Sequence, residues 1–195
     1  MMYRMRGSFL IVAALLLCCT AWSIHAAEVE VAEDLLVDLR AEDLESGFVT
    51  TWPNRGSLGG EFNAVGTPEA VASQGWASVS FDGSSYFIGP NSVPEIEGDD
   101  PHSIEVWVYK ESVSGEQTMV SWSRRGGPVG SNMAFNYAAD PSWGAVAHWG
   151  AANDMGWGAE YGPNPALGEW HHLAYTYDGS TTRVYVDGDL ANQAN

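Results

Sequence analysis

Positive charge is scarce in this chain: seven arginines and one lysine stand against 25 acidic residues, a formal charge of −17 over 195 residues. Arg4 and Arg6 lie at the extreme N-terminus, so residues 28–195 keep six basic side chains against all 25 acidic ones, a net −19, with Lys110 the only lysine. Phosphate backbones are gripped through Lys and Arg, so the balance excludes a nucleic-acid partner. It suits a bound cation or a neutral glycan, and it also keeps a protein soluble by self-repulsion. Cysteine is nearly absent, since Cys18 and Cys19 are the only two. Long apolar runs are missing as well: the longest, 9–19, has 11 residues, well short of the roughly 20 that a spanning helix needs.

What the N-terminus does contain is a short positive region at Arg4 and Arg6, the apolar run 9–19, and a small-residue stretch ending in Ala26 and Ala27. That three-part order is the pattern of an export signal. It predicts a signal peptide over 1–27, a secreted or extracytoplasmic protein, and no stable membrane span after cleavage. Both cysteines leave with the signal, so the mature chain, 28–195, has no disulfide even in a compartment that permits one. Its roughly 168 residues suffice for one domain with a sizeable core, and no linker or repeat divides them.

Helical periodicity is absent beyond the signal, apart from 33–45, where Leu35, Val37 and Leu39 suit a first strand as well as a short helix. Short β-rich runs punctuated by Gly, Pro, Asn and Asp fill the rest, which is an all-β pattern. Strands are expected over 78–81, 86–88, 103–110, 118–123, 170–177 and 183–187, with shorter ones near 133–137 and 144–149. In 103–110, Ile104, Val106 and Val108 take one face and Glu105, Trp107 and Tyr109 the other. The pairs Asp82-Gly83, Asp178-Gly179 and Asp187-Gly188 supply the positive φ of hairpin turns.

Several of these segments together resemble the laminin-G-like jelly-roll family of the concanavalin A-like superfamily. Residues 77–83 (Ala-Ser-Val-Ser-Phe-Asp-Gly) followed by Tyr86-Phe87-Ile88 are similar to its early strand pair, and 103–109 to its central strand. Residues 168–179 (Gly-Glu-Trp-His-His-Leu-Ala-Tyr-Thr-Tyr-Asp-Gly) with 183–188 (Arg-Val-Tyr-Val-Asp-Gly) are similar to its most recognisable hairpin. The resemblance implies an antiparallel two-sheet jelly-roll sandwich over roughly 35–195. Because the family continues with closing strands after this hairpin, it also implies that the last strands are missing here and that a sheet edge stays open.

Folds of this superfamily also host glycoside hydrolases, which need two carboxyl groups about 5–5.5 Å apart when they retain configuration. In those enzymes the pair sits on one strand as Glu-x-Asp-x-x-Glu. Here Glu105 is followed by Trp107 at the Asp position and Lys110 at the second Glu, so Glu105 is expected to be structural or to contact a ligand, and no catalysis is expected. His171 and His172 are adjacent on a strand and point to opposite faces, so they cannot chelate one ion there. There is no Gly-x-Ser-x-Gly elbow and no Gly-rich phosphate loop; Arg124-Arg125-Gly126-Gly127 reads as a turn.

Calcium takes loop carboxylates and carbonyls, and relatives of this fold bind it, which makes Asp82, Asp187 and Asp189 candidate ligands among the loop aspartates that also include Asp99, Asp100 and Asp154. In an Asp-Gly pair the same carboxylate also serves the turn. The nine tryptophans carry most of the functional expectation. Trp76, Trp107, Trp122 and Trp170 fall in or beside strands and are assigned to the core. Trp143, Trp149 and Trp157 lie among Gly and Asn with Asp154 and Tyr161 nearby, where rings beside polar groups make a ligand surface. The expected function is a secreted, non-catalytic recognition module that binds carbohydrate at Trp143, Trp149, Asp154, Trp157, Tyr161 and Glu105. The competing partners are an extracellular protein, with the domain serving adhesion, or the catalytic part of a secreted glycoside hydrolase, with the domain as its accessory.

Overall fold

A computed structural model describes residues 35–96, 100–122, 133–148 and 154–195. The signal 1–27, Asp99, the turn at 124–127 and Trp149 lie outside the described residues. Among the described residues thirteen strands follow one another: β1 (Gly47–Phe48), β2 (Thr51–Pro53), β3 (Glu61–Val65), β4 (Glu69–Ser73), β5 (Trp76–Ser80), β6 (Tyr86–Ile88), β7 (His102–Tyr109), β8 (Thr118–Trp122), β9 (Met133–Asn136), β10 (Val146–Ala147), β11 (Trp170–Tyr177), β12 (Thr182–Val186) and β13 (Asp189–Ala194). The only described helix is 3₁₀, at Ala41–Asp43 and Pro94–Ile96. The all-β reading therefore holds. Residues 35–40 are irregular rather than a strand, and β1 to β4 and β13 are strands that the sequence reading does not expect.

Every strand pairing is antiparallel, in the orders β1-β4-β5, β2-β3-β6, β7-β11-β12-β13 and β10-β9-β8. The last two sheets share one core. Met133 and Phe135 of β9 and Val146 of β10 join Leu173 and Tyr175 of β11 and Val184 and Val186 of β12, with Ile104, Val106 and Val108 of β7 packed against them. This is the alternation expected for β7: its aliphatic face turns inward, and Glu105 and Trp107 are left outside.

The hairpin between β12 and β13 turns on Asp187 and Gly188, at φ 53° and 91°. Two successive positive φ values match the twist of the flanking strands, and the pair Asp-Gly tolerates them. Gln74-Gly75 makes the same kind of turn between β4 and β5.

Candidate functional site

Trp157 is fully buried against Phe135 and Tyr137, with ring centroids 5.8 and 6.2 Å away. It is therefore not the exposed ligand-facing ring that its Gly-rich surroundings suggested. Those glycines serve packing. A Cβ on Gly156 would strike the Pro141 carbonyl, and one on Gly158, at φ 92°, would strike that of Ala191. The backbone can lie against its neighbours only without side chains there, and that close approach drives the indole inward.

Of the other expected ligand residues, Trp143, Asp154 and Tyr161 are described, and each is engaged by neighbouring groups of the fold. Trp143 is half-buried, its N–H donates to Asp140 Oδ1 at 3.3 Å, and its carbonyl accepts from Asn136 Nδ2 at 3.3 Å. Asp154 Oδ1 accepts the His148 N–H at 2.5 Å. Tyr161 packs on the edge of the core, where burial raises the phenol's pKa, helped by Glu160 and Asp189.

The carboxylates offered for calcium are largely committed to their own turns. Asp82 Oδ1 accepts the N–H groups of Ser84 and Ser85 at 2.8 Å and the Ser85 hydroxyl at 2.8 Å, and Oδ2 accepts the Ser84 hydroxyl at 3.0 Å. These bonds, with that of the Ser85 hydroxyl foremost, hold its pKa far below the usual carboxylate range. Asp187 Oδ2 lies 2.7 Å from His171 Nδ1, and its Oδ1 accepts the His172 N–H at 2.9 Å. Burial pushes this carboxyl up, but the bonds from His171 and His172 outweigh burial and leave it below its ordinary value. Asp189 is exposed at the start of β13, opposite Val186. Among the described residues no group of three or more His, Asp, Glu or Cys side chains is arranged to hold a metal ion. Among the described residues Asp82, Asp187 and Asp189 do not come together as a calcium site.

His171 instead ties the β12–β13 turn to the loop before β11. Its Nε2 lies 3.1 Å from the Ala166 carbonyl, which the Tyr137 hydroxyl approaches to 2.7 Å, with the Pro165 carbonyl at 3.1 Å. Burial, then Glu169 and Asp187, push the Tyr137 phenol up to about 12, so it stays a donor.

Directly across the strand from His171 the chemistry changes. His172 is opposite Trp107 in the β7–β11 register, on the outer face of the four-stranded sheet. The Trp107 indole is 70% exposed, and its ring lies 5.2 Å from that of His172, tilted by 42°. Glu105, two residues along the same face, places Oε2 3.3 Å from His172 Nε2. The next pair along, Tyr109 with Trp170, adds rings 5.8 Å apart.

Of the ligand residues expected from sequence, this face gathers only Glu105; Trp107 and Trp170 are expected in the core. The signal was available, because a glutamate two residues away marks the solvent face of an alternating strand. Trp76, also assigned to the core, is 68% exposed on β5.

Among the described residues no helix is long and apolar enough to cross a membrane. No curated protein and no solved structure matches the chain. A laminin-G family model, described as the concanavalin A-like lectin/glucanases superfamily, matches residues 81–195, which take in β6 to β13 and the whole Trp107 face, and the chain belongs to that superfamily.

Proposed function

We propose that this domain is an exported, non-catalytic recognition module that binds carbohydrate on the outer face of β7 and β11. The observation that carries the reading is Trp107, a large apolar ring left 70% exposed on a strand whose other face is anchored in the core. A sugar stacks the C–H face of a pyranose on such a ring, and neighbouring polar groups, here Glu105 and His172, fix its hydroxyls. The rigid sheet means little ordering cost on binding. Hydrolysis is disfavoured by the same geometry. The residue two along from Glu105 on its face is the indole of Trp107, and Lys110 has the opposite strand parity.

The test is a glycan-array screen of the wild type and of Trp107→Ala, repeated with calcium and with EDTA. Specific binding that disappears in the variant while its circular dichroism is unchanged is the expected result. Binding should survive EDTA, because Asp82 and Asp187 already serve their own turns. Binding that persists in Trp107→Ala overturns the assignment of the site.

A protein partner is the second reading, favoured by Val65 and Tyr86, paired across β3 and β6, with Ile88 beside them; the three are 37%, 52% and 47% exposed. Exposed apolar clusters of this kind mark protein contacts. A wild type that binds no glycan would move the proposal there.

A further inference from the structure

The charges around Trp107 narrow the ligand class. On the outer face of β7, β11 and β12 the strand parity places one cationic side chain, Arg183, and its Nη1 is held by Asp178 Oδ2 at 2.6 Å. Arg183 pairs with Thr176, four residues along β11 from His172, about 13 Å away at strand rise. Lys110, at the end of β7, has the inward parity, and burial lowers its pKa. Against these stand the Glu105 carboxylate, its side chain 56% exposed, with Oε2 turned to His172, and a net charge of −19 over residues 28–195. An acidic sugar meets no free cation among the described residues of this face and is repelled by the chain as a whole. An ammonium group finds two partners, the face of Trp107 for a cation–π contact and the Glu105 carboxylate for a charge-assisted hydrogen bond.

We propose that the Trp107 face selects glycans bearing free amino groups, such as deacetylated hexosamine chains, with Trp107 as the stacking platform and Glu105 as the residue that reads the amine. The inference rests on the carbohydrate-binding reading above and adds the ligand class.

Calorimetric titration of the full chain tests it with three probes: chitosan oligosaccharides, fully N-acetylated chitin oligosaccharides of the same length, and heparin. The chitosan form should bind about tenfold more tightly than the acetylated form, the combined worth of one exposed ion pair and one cation–π contact, and heparin should not bind. Glu105→Gln should cut the preference to about threefold, the share left to the cation–π contact, and leave affinity for the acetylated form unchanged, and Trp107→Ala should weaken both. Equal affinity for the two forms, or heparin binding, overturns this inference while leaving the carbohydrate reading intact. An undiminished tenfold preference in Glu105→Gln overturns the assignment to this face, because the overall charge would then be its source. Failure of all three probes, together with a blank glycan array, overturns both proposals.

Discussion

Fifteen of the seventeen buried hydrophobic residues described lie between Met133 and Val186, and only Val49 and Ala70 lie before residue 90. The exposed large hydrophobics divide the other way, with seven of ten between Val37 and Ile88. The later region is held by burial, in which each large side chain contributes about 1.5–3 kcal/mol. The earlier region leans on polar side chains that satisfy backbone groups. Asn54 is its hub: Oδ1 accepts the N–H groups of Asp38 and Gly56 at 2.7 and 2.9 Å, and Nδ2 donates to the carbonyls of Leu36 and Gly59 at 3.0 and 3.1 Å. The ion pairs Arg40–Asp38 and Arg55–Asp43 lie on the same segment. Two regions built of antiparallel strands can therefore differ in what their stability depends on.

Trp157→Ala should strike hardest, since it empties a fully enclosed site. A loss of about 3–5 kcal/mol is expected from large-to-small truncation of a buried aromatic, read as the urea midpoint of the transition followed by tyrosine and tryptophan fluorescence. A loss below 1 kcal/mol would mean that the core around Trp157 is not what holds the later region. Asn54→Ala should cost less, about 1–3 kcal/mol for groups left without partners, and the cost should be local. Hydrogen exchange would accelerate around residues 36–60 and stay protected in β9, β11 and β12. Uniform acceleration would show that the two regions unfold as one.

Acid should act on the later region through His148. Burial holds its pKa below the usual value; Asp154 opposes the shift and His102 adds to it. The unfolded ring takes up its proton near pH 6.5, while the folded ring resists, so the unfolded state binds more protons as pH falls through that value. Stability from this group is complete above about pH 6.5 and declines as pH drops towards the lowered folded pKa. His148→Gln should flatten the dependence of the urea midpoint between pH 7.5 and 5. Asp187, whose pKa is also lowered, loses its contribution at lower pH, below about 4, where unfolded carboxylates protonate. The smallest effect on stability is expected from Trp107→Ala, within about 0.5 kcal/mol as for surface positions generally. That result would set the exposed Trp107 apart from the buried Trp157 by function as well as by burial.

Those two tryptophans also show how far the sequence could be read. The strands β7, β11 and β12, their faces, and the opposite directions of His171 and His172 follow from alternation, which depends only on the period of an extended chain. Trp107 belonged to the polar face by the same rule, and only the habit of placing strand tryptophans inside hid it. Trp157 could not be placed that way. Glycine at 156 and 158 is equally compatible with an open ligand loop and with a backbone pressed against Pro141 and Ala191, and the choice depends on residues 15 or more positions away in the chain. The pairing of His171 with Asp187 is of the same kind. Both residues belong to the hairpin motif, but whether the carboxylate would serve a cation or a buried imidazole was set by the loop at Pro165–Ala166 closing over it.

The sequence by itself determined the all-β class, the strong negative charge, and the inward face of β7, because composition and period-two alternation are local properties. The tertiary structure alone decided which aromatic rings are free to meet a ligand and which carboxylates are already spent, because burial and hydrogen-bond partners come from segments distant in the chain.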